Sequence, residues 1–130
     1  EAITVLISYL GYKRPLTASE QNGIFLHGPV PDVLYPAVEA LYKIGPPAEP
    51  ALFDVLASDS RPDSVEASNA LYTLLLIHHG NLPPIIKELT RRANNASDAP
   101  MSGRLHAYVK MLIEQCTDAF RQKCEDASRP

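Results

Sequence analysis

The chain has 130 residues, of which 45% are hydrophobic and 21% charged, and its formal net charge is −3. These values fit one folded domain and exclude a wholly disordered chain. The longest apolar run, Leu74 to Ile77, has four residues, whereas a membrane helix needs about 18. A pI near 5.8 argues against a nucleic-acid-binding protein, which normally carries a concentrated basic surface. We therefore expect one domain with neither membrane insertion nor a nucleic-acid partner.

Apolar spacing predicts helices nearly everywhere, because apolar residues recur every three or four positions. In the last predicted helix, for example, this stripe includes Leu105, Val109, Cys116 and Phe120. Alternation with a period of two never extends beyond four residues, so strands have little support. The predicted fold is all-α, with helices at 1–11, 32–44, 47–58, 63–79, 82–95 and 100–125.

Capping residues and glycines mark the predicted helix ends. Asp63, with a glutamate three residues later, resembles a capping box. Asn81 and Asp98 each stand shortly before proline, which suits an N-cap and a first turn. Gly45 and Gly80 fall where helices should end, because glycine tolerates the left-handed conformation there.

The connection 12–31 is longer than the usual helix connection of about 2–8 residues. Such a segment is functional, partly structured or an inserted decoration, and the sequence leaves these three readings open. Thr17 and Glu20 can cap a short helical turn. The apolar residues 24–26 predict that the connection packs back onto the core.

Self-comparison of the chain reveals an internal repeat. The tripeptide Ala-Leu-Tyr at 40–42 recurs at 70–72, thirty residues later. The helix that follows each copy also aligns, with 50–55 matching 84–89. Helix pairs that repeat every 30–40 residues are typical of an α-solenoid, in which neighbouring pairs share one core.

Residues 37–52, AVEALYKIGPPAEPAL, closely resemble the HEAT repeat of the armadillo-type α-solenoids, as found in bacterial HEAT-like proteins. The second repeat departs from that pattern at its turn, where Leu74 and Leu75 replace Ile-Gly and Gly80 supplies the break later. The resemblance implies a right-handed α–α superhelix; the alternative is a helical bundle without repeats. The implied single domain contains a half repeat, a long connection, two repeats and a capping helix, at 1–11, 12–31, 32–58, 63–95 and 100–125.

The two cysteines, Cys116 and Cys124, are eight residues apart. On one continuous helix their Cα atoms lie about 12 Å apart, beyond the limit of about 7 Å for a disulfide. We expect no pairing unless the helix breaks between them, and we expect Cys116 to be buried and inert. The chain starts at Glu1, which leaves open a cleaved signal peptide, a missing domain or an artificial boundary upstream. Its location is therefore either cytoplasmic or, after signal-peptide removal, outside the cytoplasm.

Catalytic and metal-binding patterns are missing from the sequence. His78 and His79 are adjacent and point about 100° apart on a helix, so they do not share one metal without further ligands. We expect both at a helix C-terminus, where donors are favoured. Glycine-rich phosphate-binding motifs and nucleophile motifs are absent. The sequence predicts neither an enzyme nor a cofactor.

The resemblance implies a protein partner, because the second helices of HEAT-like repeats line a concave, partner-binding side. Phe53, Lys87 and Arg91 are predicted to point outward there, and Tyr12 and Arg14 add recognition groups from the long connection. Phe53 has a second reading, in which it packs against the next helix. The alternatives to a protein-binding scaffold are a ligand handler similar to the HEAT-like bilin lyases and a structural spacer of a larger envelope protein. Oligomeric state stays open.

Overall fold

A computed structural model describes residues 2–16, 34–58 and 64–129. These ranges contain seven α-helices and no strand, which confirms the predicted all-α fold. The helices are α1 (Ala2–Ser8), α2 (Pro36–Ile44), α3 (Glu49–Ser58), α4 (Val65–Ile77), α5 (Leu82–Asn94), α6 (Ala99–Gln115) and α7 (Arg121–Ala127), and a 3-10 turn at Pro46–Ala48 joins α2 to α3. No helix in these ranges has the length and apolar character needed to cross a membrane.

Side-chain caps begin two of these helices. The Ser64 hydroxyl accepts a hydrogen bond from the Ala67 N–H at 3.1 Å at the start of α4, so Ser64 is the N-cap of this helix. Asp63 itself, like Thr17, Glu20 and residues 24–26, lies outside the described residues. Asp98 caps α6 as predicted, because its carboxylate accepts a hydrogen bond from the Met101 N–H at 2.7 Å.

The end of α4 is a Schellman motif. The Gly80 N–H donates to the Leu75 carbonyl at 2.8 Å, and the His79 N–H donates to the Leu76 carbonyl at 3.1 Å. His79 has a φ of 53°, in the left-handed region that glycine more often occupies. His78 is the C-cap, so the expected position of the two histidines at a helix C-terminus is confirmed.

One apolar core connects the helices. α4 packs against α2 and α3, α3 also packs against α6, and α6 packs against α5 and α7. α1 packs against α2 and α3. The fully buried large residues of this core include Leu41, Leu52, Leu56, Leu74, Ile85, Ile86, Leu89, Leu105 and Leu112. Since burial of each such side chain stabilises the fold by about 1.5–3 kcal/mol, this cluster fixes the positions of α3 and α5, which carry the candidate site.

The predicted continuous helix 100–125 is wrong, because the segment is divided into α6 and α7; its capping role stays a prediction. α6 ends because Cys116 adopts an extended conformation, with φ −68° and ψ 136°. The chain turns before α7 starts, and a disulfide joins Cys116 to Cys124 across the break, with 6.8 Å between the Cα atoms. The apolar stripe predicted for this helix includes Phe120, which is instead 54% exposed. The cysteines are expected to pair only if the helix breaks between them, and this condition is met.

Candidate partner-binding surface

The two faces of α5 have different chemistry. Ile85, Ile86 and Leu89 are fully buried, which leaves Lys87 and Arg91 on the exposed side of the helix. This division follows from the helical period, because residues three and four apart lie on the same face. The outward positions predicted for Lys87 and Arg91 are confirmed.

An ion-pair network runs across this surface from α5 to α3. The Arg91 guanidinium donates two hydrogen bonds to the Glu88 carboxylate, at 2.9 and 2.6 Å. Arg92 donates to the same carboxylate through Nε at 2.7 Å. Its Nη1 donates to Asp54 Oδ1 of α3 at 2.6 Å. Arg92 therefore joins the two helices, while Arg91 extends the network towards solvent.

Phe53 lies beneath this network and not at the surface. Its side chain is 3% exposed, and the Arg92 guanidinium carbon lies 5.3 Å from the centroid of its ring. That distance is suitable for a cation–π interaction. The predicted outward position of Phe53 is wrong, because the side chain of Arg92 reaches across from α5 and covers the ring. The alternative prediction, that Phe53 packs against a neighbouring helix, is confirmed.

Hydrogen bonds in the network favour the charged forms of Glu88, Arg91 and Arg92. Hydrogen bonding from Arg91 lowers the pKa of Glu88, and burial opposes this effect only in part. For Arg92, burial is the largest single influence and lowers the pKa, but the hydrogen bonds to Asp54 and Glu88 together outweigh it and raise the pKa. Hydrogen bonding to Glu88 raises the pKa of Arg91. This surface therefore carries fixed charges.

Two open grooves flank the network. The first, called the α5–α7 groove, lies between α5 and Arg129, which follows α7, and has a volume of about 480 Å³. It is lined by Pro84, Lys87, Glu88, Thr90, Arg91, Asn94, Asn95 and Arg129. The α3–α6 groove has a volume of about 570 Å³. It is lined by Asp54, Ala57, Ser58, Arg91, Arg92, Asn95, Ala96, Ser97, Met101 and Leu105.

Arg91 and Asn95 line both grooves and form the ridge between them. The Asn95 side-chain amide donates to the Arg91 carbonyl at 2.9 Å, which ties the ridge to the end of α5. Both volumes lie in the range of about 300–1,000 Å³ that is common for ligand pockets.

Thr90 also lines the α5–α7 groove, and nothing in the sequence indicated that it belongs to a candidate site. It is 4% exposed, and its hydroxyl oxygen is buried without a hydrogen-bond partner among the described residues. The buried hydroxyl of Thr73, in contrast, donates to the Asn69 carbonyl at 2.7 Å. A buried polar group without a partner destabilises a fold by about 1–3 kcal/mol, so the unpaired Thr90 hydroxyl lowers the stability of this fold.

Tyr12 and Arg14 lie away from this surface. Both follow α1, and neither lines either groove. Tyr12 is 53% exposed. The backbone N–H of Arg14 donates to the Leu34 carbonyl at 2.9 Å, and its guanidinium donates to the Pro15 carbonyl at 3.0 Å. Of the five predicted partner-binding residues, the fold therefore brings together Phe53, Lys87 and Arg91 only.

Outside this surface, one histidine pairs with a carboxylate. His78 Nε2 lies 2.6 Å from Glu49 Oε1, which links the end of α4 to the first turn of α3. In the ranges 2–16, 34–58 and 64–129, no group of three or more His, Cys, Asp or Glu residues has a geometry suited to a metal ion.

Comparison of the chain with models of known protein families found no match. Comparisons with curated proteins and with solved structures also found none.

Proposed function

We propose that the chain is a non-catalytic protein-binding scaffold, built as a short right-handed stack of HEAT-like helix pairs, and that the exposed side of α5 is its binding face. The observation that carries the proposal is the pair of exposed cationic residues, Lys87 and Arg91, on a helix that ion pairs and core packing hold in place. No cofactor is required for this role.

Contacts between helices support the stacked arrangement. In a stack of helix pairs, first helices neighbour one another and so do second helices. α2 and α4, the first helices of the two repeats, pack together. α3 and α5, the second helices, are linked by the Arg92–Asp54 ion pair and by the contact of Arg92 with Phe53.

The energetics of the network favour binding at this surface. The Arg91 side chain is 59% exposed, and exposed ion pairs contribute only about 0–1 kcal/mol. Arg91 can therefore exchange its contact with Glu88 for a partner's carboxylate at little expense in stability. Arg92 is held by two carboxylates, so the surface beneath Arg91 keeps its shape. Preordered groups of this kind lose less entropy on binding.

The binding face is tested by affinity capture from cell extract, with cross-linking and quantitative identification of the captured proteins. The test variant is Lys87→Glu with Arg91→Glu. A matched control, Lys43→Glu with Lys110→Glu, makes the same change in net charge at exposed positions of α2 and α6. Lys87→Gln with Arg91→Gln removes the cations without adding acid.

We expect the wild type and the control to capture the same proteins, and both α5 variants to lose them. The melting temperature of all four proteins should agree within a few degrees, since surface substitutions usually change stability by less than about 0.5 kcal/mol. Equal capture by the α5 variants would show that this face is not the binding surface. Absence of reproducible capture by the wild type would contradict the scaffold function itself.

A further inference from the structure

We propose that the α5–α7 groove binds the carboxylate side chains of an acidic peptide segment, with Lys87 and Arg91 as charged contacts and the Thr90 hydroxyl, once turned towards the groove, as a hydrogen-bond donor. This inference rests on the proposed protein-binding function and names the chemistry of the partner. The occupant is a short acidic stretch of another protein that lies along α5.

The charges that line the groove favour an anionic occupant. Lys87, Arg91 and Arg129 supply three cations, while Glu88 is the single anion of the lining. Within the described part of the chain, Lys87 makes no hydrogen bond or ion pair. Arg129 contacts Asp126 at 2.7 Å and is 66% exposed. Both cations are thus available to a carboxylate, because exposed pairs are weak and exchange easily.

Thr90 is the second and independent indication of a ligand. Its hydroxyl is buried at the groove and has no partner among the residues that the structure describes. Threonine in a helix populates two side-chain rotamers, and the proposal requires that a change between them turns the hydroxyl from its buried position towards the groove. A carboxylate oxygen accepts such a hydrogen bond, and hydrogen bonds to charged groups are stronger than neutral ones.

The positions of these groups on α5 suit an extended peptide. Lys87, Thr90, Arg91 and Asn94 follow one another at helical spacing and therefore share one face over two turns. Lys87 and Arg91 present cations one turn apart, and Asn94 adds an amide that can both donate to and accept from a peptide backbone.

Fluorescence anisotropy with labelled peptides tests the inference. The probe is a hexaglutamate peptide, and a hexaglutamine peptide of the same shape is its uncharged match. A hexathymidylate oligonucleotide provides phosphates in place of carboxylates. The variants are Thr90→Val and Lys87→Gln, and the controls are Thr117→Val and Lys43→Gln at exposed positions. NMR titration of amide signals locates the bound peptide.

We expect hexaglutamate to bind and hexaglutamine not to bind, with shifts at Lys87, Thr90 and Asn94. Thr90→Val should weaken binding about tenfold, as for one hydrogen bond to a charged group. Lys87→Gln should weaken it about fivefold, as for one exposed ion pair. The controls should bind as the wild type does. Thr90→Val should not lower the melting temperature, because the hydroxyl that it removes has no partner in the free protein.

Three results would overturn the inference: no binding of hexaglutamate, unchanged binding by Thr90→Val, or tighter binding of the oligonucleotide than of the peptide. These results are distinct from a failure of the scaffold function. If the variants at Lys87 and Arg91 lose their captured proteins while hexaglutamate does not bind, the binding face stands and the acidic partner is wrong.

Discussion

The first and last described helices have the same length, but different forces hold them to the core. α1 and α7 have seven residues each, and helices that short are not stable alone in water. α7 is tied covalently, through the disulfide of Cys124 with Cys116. α1 has no buried residue of its own. Ile3, Leu6 and Ile7 of α1 are only partly buried against the core, so this helix depends in addition on an anchor outside it, whereas α7 has a cross-link.

The anchor of α1 is Leu10, which lies in the turn after the helix and is 0% exposed. Its carbonyl accepts a hydrogen bond from the side-chain amide of Asn69 in α4, at 2.8 Å. Val5 and Tyr9 of the same segment are more than half exposed. Leu10 and this buried hydrogen bond thus hold the segment together with Ile3, Leu6 and Ile7, which are partly buried and pack against the core.

The constraint on α7 is different in kind. The Arg121 guanidinium donates to the Cys116 carbonyl at 3.1 Å and so satisfies a backbone group exposed by the break after α6. The disulfide then limits the unfolded chain, because it closes a loop that persists after unfolding. Leu10 and Asn69 act only in the folded state. The two ends should accordingly respond differently to mutation and to reduction.

Leu10→Ala should give the largest loss of stability. Truncation of a fully buried leucine removes apolar contacts and leaves a cavity, which lowers the free energy of unfolding by about 3 kcal/mol. Urea unfolding followed by circular dichroism measures this change. The control is Tyr9→Ala, next to the anchor and 58% exposed, for which we expect a change within about 0.5 kcal/mol. Equal effects of the two substitutions would show that Leu10 is not the anchor.

Removal of the disulfide should have the next largest effect. Cys116→Ser with Cys124→Ser opens a loop with a sequence separation of eight, and chain entropy predicts a loss of about 2.5 kcal/mol. A reducing agent should produce a similar loss in the wild type and none in the double variant. Differential scanning calorimetry with and without reductant measures both. If the wild type melts at the same temperature in both conditions, the cross-link does not stabilise the protein.

The sequence predicted the features that depend on helical periodicity. The exposure of Lys87 and Arg91 follows from the apolar stripe of α5, and the N-cap of α6 at Asp98 follows from local hydrogen-bonding chemistry. Phe53 was placed wrongly because a side chain from another helix covers it. The break at Cys116 was missed because an apolar period continues through a turn as readily as through a helix.

Buried polar groups were the other features that the sequence did not predict. Thr90 and Asn69 read as ordinary polar residues of helical segments. Their importance depends on tertiary contacts: Asn69 finds the carbonyl of a residue 59 positions away, and Thr90 finds no partner. The local sequence around Asn69 or Thr90 does not show whether the side chain finds a hydrogen-bond partner, because such a partner would come from another part of the fold.

Asn69→Ala should have the smallest of the three effects. It tests most directly how the α1 segment is held to the core. Loss of the amide leaves the Leu10 carbonyl without its donor and should lower the free energy of unfolding by about 1–2 kcal/mol. Ser68→Ala, at the exposed neighbouring position, is the control. Combined with Leu10→Ala, Asn69→Ala should add less than its separate effect, because an undocked segment no longer presents that carbonyl. Combined with the cysteine substitutions, it should be additive, since sites without shared partners usually are. Additivity in both combinations would mean that Asn69 and Leu10 act independently and that α1 has two anchors.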